Sequence, residues 1–397
     1  MEKPVLGVFE PATVNVLKLN IALDKLSTNM KKIIALFIVM QMGGFLMAQV
    51  VNTGVMDTAD FAYQGKVTVG GYIDTYYGYD FNKPTGERPY FVSMARHNEM
   101  TINLAYVDVK YSSSRLRARF VPGFGSYVNS NYAAEPGSFK NIIEGSVGVK
   151  IFPTKNLWLD AGVLGSPYTN ESAISKDHLM YSRSFAPEYV PYYVSGVKLS
   201  MPLNEKINLY FYLLNGWQQI VDQNKGKSIG TQLEYRPNNY WLFNWNTYVG
   251  DERSSAAPQN RTRYFSDLYF IYKKGKLSAT GCVYAGIQER ENADNTTRSD
   301  KWWQANLIGR YNFSDKISLS GRVEYFNDPK SVHITSITDG GGFSSYSTGL
   351  CLNVHIASNI MARFEGRTFF SDNDVYTKDT APANTSNLLI SNLTIWF

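Results

Sequence analysis

Residues 388–397 read Leu-Leu-Ile-Ser-Asn-Leu-Thr-Ile-Trp-Phe, and their pattern decides the fold. Leu389, Leu393, Ile395 and Phe397 fall on alternate positions. Successive side chains of a β-strand point to opposite faces, so this spacing makes a strand with one apolar face. Many β proteins end on such a strand, and the stretches upstream determine how much weight it bears.

The same alternation recurs back to residue 66, in segments of about 9–15 residues joined by connections of two kinds. The tight ones, at 112–114, 153–156, 203–205, 237–239, 273–275, 314–316 and 357–359, are rich in Gly, Asn, Asp, Ser and Pro, which supply turn dihedrals. The long polar ones lie at 81–99, 125–139, 165–190, 216–225, 251–261, 289–300, 328–342 and 371–386. The two kinds take turns along the chain. Seven tight turns and eight long loops require sixteen strands, from 66–80 to 387–397, and an even count brings both ends of the ring to the turn side. The expectation is an all-β fold: a transmembrane, antiparallel, up-and-down β-barrel of about sixteen strands, with 14 to 18 compatible with the pattern.

The faces agree with a barrel in lipid. Ile317, Leu319, Gly321, Val323 and Tyr325 alternate with Ser318, Ser320, Arg322 and Glu324; Ile207 to Leu213 and Ile229 to Tyr235 repeat the pattern. A soluble sandwich would alternate in the same way. The discriminating features are the turn asymmetry, an export signal, and aromatic pairs near the strand ends: Tyr76-Tyr77, Tyr192-Tyr193, Trp302-Trp303 and Phe369-Phe370, with Trp396. Tyrosine is abundant at 28 residues, and a mean hydropathy of −0.26 argues against a bundle of transmembrane helices. The net charge of +5 comes from no basic block, so nucleic acid is excluded as a partner. Cys282 and Cys351 stand alone and the four histidines have no zinc-type spacing, so no cofactor or metal is expected.

At the other end, Met30-Lys31-Lys32 precedes an apolar run to Met47 and then Ala48-Gln49, the layout of a secretory signal. The run is shorter than the roughly 20 residues a membrane-spanning helix needs. The expected organisation is therefore 1–29 an upstream extension or mis-assigned start, 30–48 the signal peptide, 49–65 a lead-in, and 66–397 the barrel. A single anchor helix is the alternative for 30–48.

Three segments carry a resemblance: LNGWQQ (Leu214–Gln219), GTQLEYRPN (Gly230–Asn238) and RVEYFNDP (Arg322–Pro329). They resemble the OmpL-like β-barrel porin family of diderm bacteria, over nearly all of the mature chain from about Gly71 to Phe397. The closing strand likewise resembles the signal by which outer-membrane barrels are recognised for assembly, with Leu393, Ile395 and Phe397 as its apolar positions. The resemblance implies export to the outer membrane, contact with its lipid and with the barrel-assembly machinery, and passive diffusion of small hydrophilic solutes without enzymatic activity. Porins of this size often form homotrimers, although no dominant apolar patch carries that expectation here.

For the lumen, the clearest constellation is Arg115, Arg117 and Arg119, whose spacing puts three guanidiniums on one face. Lys198, Arg236, Arg310, Arg322, Arg363 and Arg367 are further basic candidates; Asp74, Asp160, Glu324 and Glu365, with Glu144 and Glu234, are acidic ones. Their near balance implies weak anion preference at most. The plain alternative is wall ion pairs that merely fill the lumen. The 165–190 loop, with Lys176, Asp177, Arg183 and Glu188, is long enough to fold inward as a constriction; a surface-packed loop is its alternative. Competing functions are an adhesin or structural barrel with a closed lumen, and a barrel-borne hydrolase using His97, His178 or His333 at the rim. No GxSxG elbow supports the latter.

Overall fold

The computed structural model describes residues 65–397, apart from 255, 256, 293 and 295. The expected extension, signal and lead-in over 1–64 lie outside the described residues. The strands are β1 (Lys66–Asp80), β2 (Glu99–Ser112), β3 (Leu116–Phe124), β4 (Ile142–Lys150), β5 (Trp158–Gly165), β6 (Tyr193–Pro202), β7 (Ile207–Leu214) and β8 (Ser228–Asn238). There follow β9 (Trp241–Asp251), β10 (Thr262–Lys274), β11 (Leu277–Glu291), β12 (Thr297–Asn312), β13 (Ile317–Asp328), β14 (Phe343–Ala357) and β15 (Ile360–Phe370). A small hairpin, β16 (Tyr376–Lys378) and β17 (Ala381–Ala383), precedes β18 (Thr385–Trp396).

Strands β1–β15 and β18 form one closed antiparallel barrel in which each strand pairs with its neighbours along the chain. Sixteen strands close the ring, as the alternation of turns and loops requires. Closure runs through β1 and β18 in a register from Tyr72↔Trp396 to Asp80↔Leu388. Just beyond it, the Gly71 amide donates to the Phe397 carbonyl (2.9 Å) and the Phe397 amide to that of Gly71 (3.1 Å). The terminal ring lies over Gly71, where a Cβ would come within 2.2 Å of it.

Period-two sequence makes each strand two-faced. On β13, Ile317, Leu319 and Val323 are exposed on the outer wall while Ser318, Ser320 and Arg322 are buried inside. Closed strands satisfy every backbone hydrogen bond within the wall, which lets such a sheet sit in lipid. Outward aromatics gather at two levels. Trp241 contacts Phe243, Phe270 and Tyr272 near the tight turns, and Trp303, Tyr325, Tyr346 and Phe370 form a contiguous row near the long loops. The expected aromatic pairs are split between the faces: Tyr76, Tyr193, Trp302 and Phe369 point inward and are buried. Adjacent strand residues cannot both face lipid.

Two glycines face each other on the strands that flank the longest loop. Gly162 on β5 pairs with Gly196 on β6, at φ +126° and +151°. A Cβ at either would stand 2.1 Å from a carbonyl of the next strand, that of Gly145 or Leu213. Only glycine fits this conformation and approach together. Gly162→Ala and Gly196→Ala are each expected to lower the yield of folded barrel and to cost about 1–3 kcal/mol in a denaturant titration. Gly309→Ala, where a Cβ meets nothing within 4 Å, serves as control and is expected to cost less than either.

Candidate functional site in the loop-spanned lumen

The connection 166–192 between β5 and β6 enters the barrel and crosses it. A buried backbone must find hydrogen-bond partners, and the wall supplies them in sequence. The Pro167 carbonyl accepts from Asn246 on β9 (2.9 Å), and the Thr169 amide donates to Asp267 on β10 (2.7 Å). Asn170 donates to Thr280 on β11 (3.1 Å) and Asn306 on β12 (2.9 Å). At the opposite wall the Ser175 hydroxyl meets the Tyr72 hydroxyl of β1 (2.6 Å), and its carbonyl accepts from Arg363 of β15 (2.7 Å).

The returning half is held by charge. Arg310 on β12 donates to the carbonyls of His178 (2.7 Å) and Leu179 (2.6 Å). Arg322 on β13 donates to the Ser182 carbonyl (2.8 Å), and Arg367 on β15 to that of Arg183 (2.7 Å). Glu365 accepts from the amides of Tyr181 and Ser182, both at 2.8 Å, and Glu324 from that of Phe185 (2.6 Å). Four of these five charged side chains also pair with one another: Arg322 with Glu365 (3.0 Å) and Glu324 (3.2 Å), Arg367 with Glu324 (2.5 Å), none more than 1% exposed. Burying ions costs several kcal/mol each unless pairing and further hydrogen bonds offset it. Here the further bonds run to the loop backbone, so loop and charge cluster stabilise each other.

Apolar packing closes the loop side over this frame. Phe185, on the short helix α2 (Phe185–Glu188), stacks with Phe91 and meets Phe326, Phe343 and Phe369 at centroid distances of 5.5–5.9 Å. Four other long connections also turn inward: 81–98 brings Phe91, 125–141 brings Tyr127 and Tyr132, 329–342 brings Val332 and Ile334, and 371–384 brings Tyr376, all buried. Helix α1 (Ser126–Asn131) carries Tyr127.

The expected site residues divide accordingly. Arg322, Glu324, Arg363, Glu365 and Arg367 do face the interior, but they hold the loop rather than line open water. Asp74 is enclosed, accepting from Asn103, Asn392 and Thr394 at 3.0 Å each. Of the four expected eyelet residues, Lys176 and Asp177 reach a cavity. Arg183 and Glu188 do not: Arg183 donates to carbonyls of its own loop, at Ser172, Ala173 and Tyr181, and Glu188 binds the Val92 amide (2.8 Å) and Tyr192 hydroxyl (3.0 Å). Burial pushes the Glu188 carboxyl above its ordinary range, against the lowering effect of those bonds. His178 stands 3.9 Å from Glu171. Burial, reinforced by Arg183, Arg363, Arg310 and Lys176, nonetheless drives its imidazole well below the ordinary range and keeps it neutral.

The arginine ladder is shorter than its spacing suggests. Arg115 precedes β3 and belongs to the turn. Arg117 binds Asp160 through two nitrogens (2.6 and 2.5 Å), with Lys198 3.6 Å from the same carboxylate. Arg119 spans Asp108 (2.9 Å) and Glu144 (2.6 Å). Arg236, half exposed near the β8–β9 turn, pairs with Glu234 (2.9 Å). Asp108, absent from the expected acidic set, follows the inward alternation of β2 and was legible on that ground.

Among the described residues, two cavities lined largely by polar and charged side chains lie on the turn side, with no lining residue in common. One, of about 660 Å³, is walled by β10–β14 and by Glu171, Lys176, Asp177 and His178 of the loop. The other, of about 550 Å³, is walled by β1–β7 and holds Arg117, Arg119, Glu144, Asp160 and Lys198.

A closed sixteen-stranded wall with an inward loop is the geometry of a porin, and the comparisons agree. The family model described as "Putative beta-barrel porin-2, OmpL-like" matches residues 66–397. The chain belongs to this OmpL-like porin family. No curated protein matches it in sequence. Among solved structures, the outer-membrane channel DcaP of Acinetobacter baumannii is similar at a TM-score of 0.59 and 10% identity, over 84% of this chain and 97% of that one. The anion-selective porin of Comamonas acidovorans gives 0.56 and 10%, over 84% and 100%. Outer-membrane expressed OmpT of Vibrio cholerae gives 0.55 and 12%, over 84% and 98%. At these identities the likeness is one of fold. The OmpL-like protein is thus an outer-membrane β-barrel of a diderm bacterium, with the general porin fold.

Breaking the buried charge cluster tests how the loop is held. Glu365→Gln keeps the shape but removes the charge facing Arg322 and two loop amides. It is expected to destabilise the barrel by about 3–5 kcal/mol and to open 180–186 to protease in the folded protein. Unchanged protection of that segment would contradict the assignment.

Proposed function

We propose that this OmpL-like barrel passes small hydrophilic solutes by passive diffusion, with weak preference for anions at most. The observation that carries the reading is the polar, charge-balanced lining of the turn-side cavities beneath a loop that narrows the barrel. Around the β1–β7 cavity, Lys110, Arg117, Arg119 and Lys198 are opposed by Asp108, Glu144 and Asp160. Around the other, Lys176, Lys273, Lys276 and Arg310 are opposed by Glu171, Asp177 and Asp315. Each set leaves one positive charge over. Fixed charge in a pore selects ions by sign, and so small an excess supports a bias rather than strict selectivity. One barrel of the same fold, from Comamonas acidovorans, is described as anion-selective. Under this reading the interior arginines and carboxylates set the width of the path by holding the loop. The charges of Arg117, Asp160 and Lys198 face the solute.

A second reading, a barrel whose lumen stays closed, is favoured by the apolar packing of the loop side. Planar-bilayer recording separates the two. Open-channel steps are expected for the purified protein, and in a tenfold KCl gradient the reversal potential should lie slightly to the anion side of zero. Deleting 172–184 should raise unit conductance. No conductance from folded wild-type protein would favour the closed barrel, and strong cation selectivity would contradict the charge reading.

Assembly belongs to the same proposal. The outward Leu393, Ile395 and Phe397 offer an apolar edge at the closing seam for the barrel-assembly machinery, and a homotrimer is the assembly proposed for the mature protein in lipid. Deleting Phe397 is expected to cut the amount of barrel in the outer membrane several-fold while leaving the unit conductance of assembled protein unchanged. A normal level with altered conductance would reverse that assignment.

A further inference from the structure

The loop-side ends of β10, β11 and β12 carry more arginine than their neighbours neutralise. Period two turns Arg263 on β10, Arg290 on β11, and Arg298 and Asp300 on β12 toward the interior, in phase with the buried Gln288 and Trp302. Arg261 stands two residues before Arg263 in the same phase. Its carbonyl accepts from the Glu252 amide (2.7 Å), which continues the β9–β10 ladder past the Thr262↔Asp251 pair. Across the strands, Gln288 lies opposite both Arg263 and Asp300, and Arg290 lies opposite Arg298. Like charges directly opposite each other destabilise a sheet. Asp300 serves both arginines, at 2.9 Å from Arg298 and 3.5 Å from Arg290.

Arg263 is the sharper case, at 7% exposure. Its Nε donates to the Gln288 side chain (2.9 Å), and its guanidinium lies 4.8 Å from the Trp217 ring and 5.5 Å from that of Trp302. Among the described residues, neither Arg263 nor Arg261 belongs to an ion pair. The carboxylates nearby are engaged elsewhere: Glu252 accepts from the Tyr248 hydroxyl (2.6 Å), and Asp328 from the amides of residues 332, 333 and 334. A buried charge is costly unless it is paired. Acceptors are short here as well. The Nε atoms of Arg261 and Arg290 and the indole Nε1 of Trp302 are buried without a hydrogen-bond partner among the described residues. His333, from the 329–342 connection, packs against Trp302 (4.7 Å) and Trp217 (6.1 Å), and its Nε2 is unpartnered in the same way. Burial, reinforced by Arg263, Arg290 and Arg261, drives its imidazole well below the ordinary range, so the same three guanidiniums act on one neutral ring.

We propose that Arg261, Arg263 and Arg290 form a binding site for a small divalent oxyanion such as phosphate, at the loop-side end of the inner wall. Guanidinium groups present forked N–H donors that match the oxygens of such an ion. The ion supplies both the negative charge and the acceptors that the cluster lacks. Gln288, Trp217 and Trp302 are positioning residues, which hold the Arg263 guanidinium in place. The three arginines occupy or continue inward positions, so the ligand is a free solute and not a lipid headgroup at the outer wall. The site goes beyond the passive-diffusion reading, because it binds whether or not the barrel conducts.

The test titrates the folded barrel, in a neutral detergent, with sodium phosphate by calorimetry, with sodium chloride holding the ionic strength constant. Saturable binding is expected. Arg263→Gln should weaken it about tenfold or more, and so should Arg261→Gln, which alters a partly exposed side chain and leaves the buried packing intact. Arg236→Gln, near the β8–β9 turn, removes a charge elsewhere in the barrel and should leave the affinity unchanged. No saturable binding at constant ionic strength, no effect of either Arg261→Gln or Arg263→Gln, or equal weakening by Arg236→Gln would overturn the site. Short-chain phosphatidic acid added to the micelles should not displace phosphate; displacement would overturn the assignment to a free solute. A barrel that binds phosphate yet shows no open-channel steps would remove the diffusion reading and uphold the site, so the two readings fail separately.

Discussion

Four side chains, Arg322, Glu324, Glu365 and Arg367, share one fully buried ionic cluster on the inner wall, and the arrangement of the lumen depends on it. In a barrel without an inserted loop these groups would be solvated by the aqueous interior. Here water is replaced by the amides of Tyr181, Ser182 and Phe185 and the carbonyls of Ser182 and Arg183. Charge-assisted hydrogen bonds of this kind are short and roughly twice as strong as neutral ones. A loop rich in Ser and Tyr can therefore lie in the middle of a membrane barrel with its backbone hydrogen-bonded to the wall.

Once the loop is fixed, the rest of the interior follows. Its leading half must meet the far wall, which places Ser175 between Tyr72 and Arg363. Its trailing half presents Phe185 to a ring of phenylalanines drawn from β13, β14, β15 and the 81–98 connection. Aromatic pairs contribute about 0.5–1.5 kcal/mol each beyond area burial, so this cap reinforces the polar anchors. On the turn side, below the loop, lie two cavities whose charges are largely paired within the wall. The outer surface is separately dictated by lipid, through the aromatic rows at Trp241 and Trp303 and the apolar alternate residues between them.

Most of the fold was legible in the sequence because a barrel is built from local repeats. Alternation on β13 or β7 tells which face each residue takes, and the contrast between tight turns and long loops yields the strand number without any long-range information. The segment RVEYFNDP, read as a family resemblance, proves to hold four inward residues with distinct roles. Arg322 and Glu324 anchor the loop, Phe326 joins the aromatic cap, and Asp328 accepts from the amides of residues 332, 333 and 334. The facing of Arg363, Glu365 and Arg367 was equally readable from period two.

Their partners were not. Whether an inward arginine meets water, a carboxylate or a loop carbonyl is decided by the path of a connection that has no periodicity to read. Hence Arg183 and Glu188, chosen for their charge, are packed inside the loop fold, while the neutral Asn170, Ser175 and Ser182 make the contacts to the wall. Arg115 fell outside the ladder because a turn boundary moved by one residue. The inward folding of the 125–141 and 371–384 connections left no pattern beyond their tyrosines.

Amide hydrogen exchange of the folded wild-type protein, resolved to single residues by NMR, addresses the central claim directly. The amides of Tyr181, Ser182 and Phe185 should exchange as slowly as those of the neighbouring strands β13 and β15. Exchange at those positions as fast as that of the exposed Asp294 would show that the loop is not held across the lumen by the wall charges.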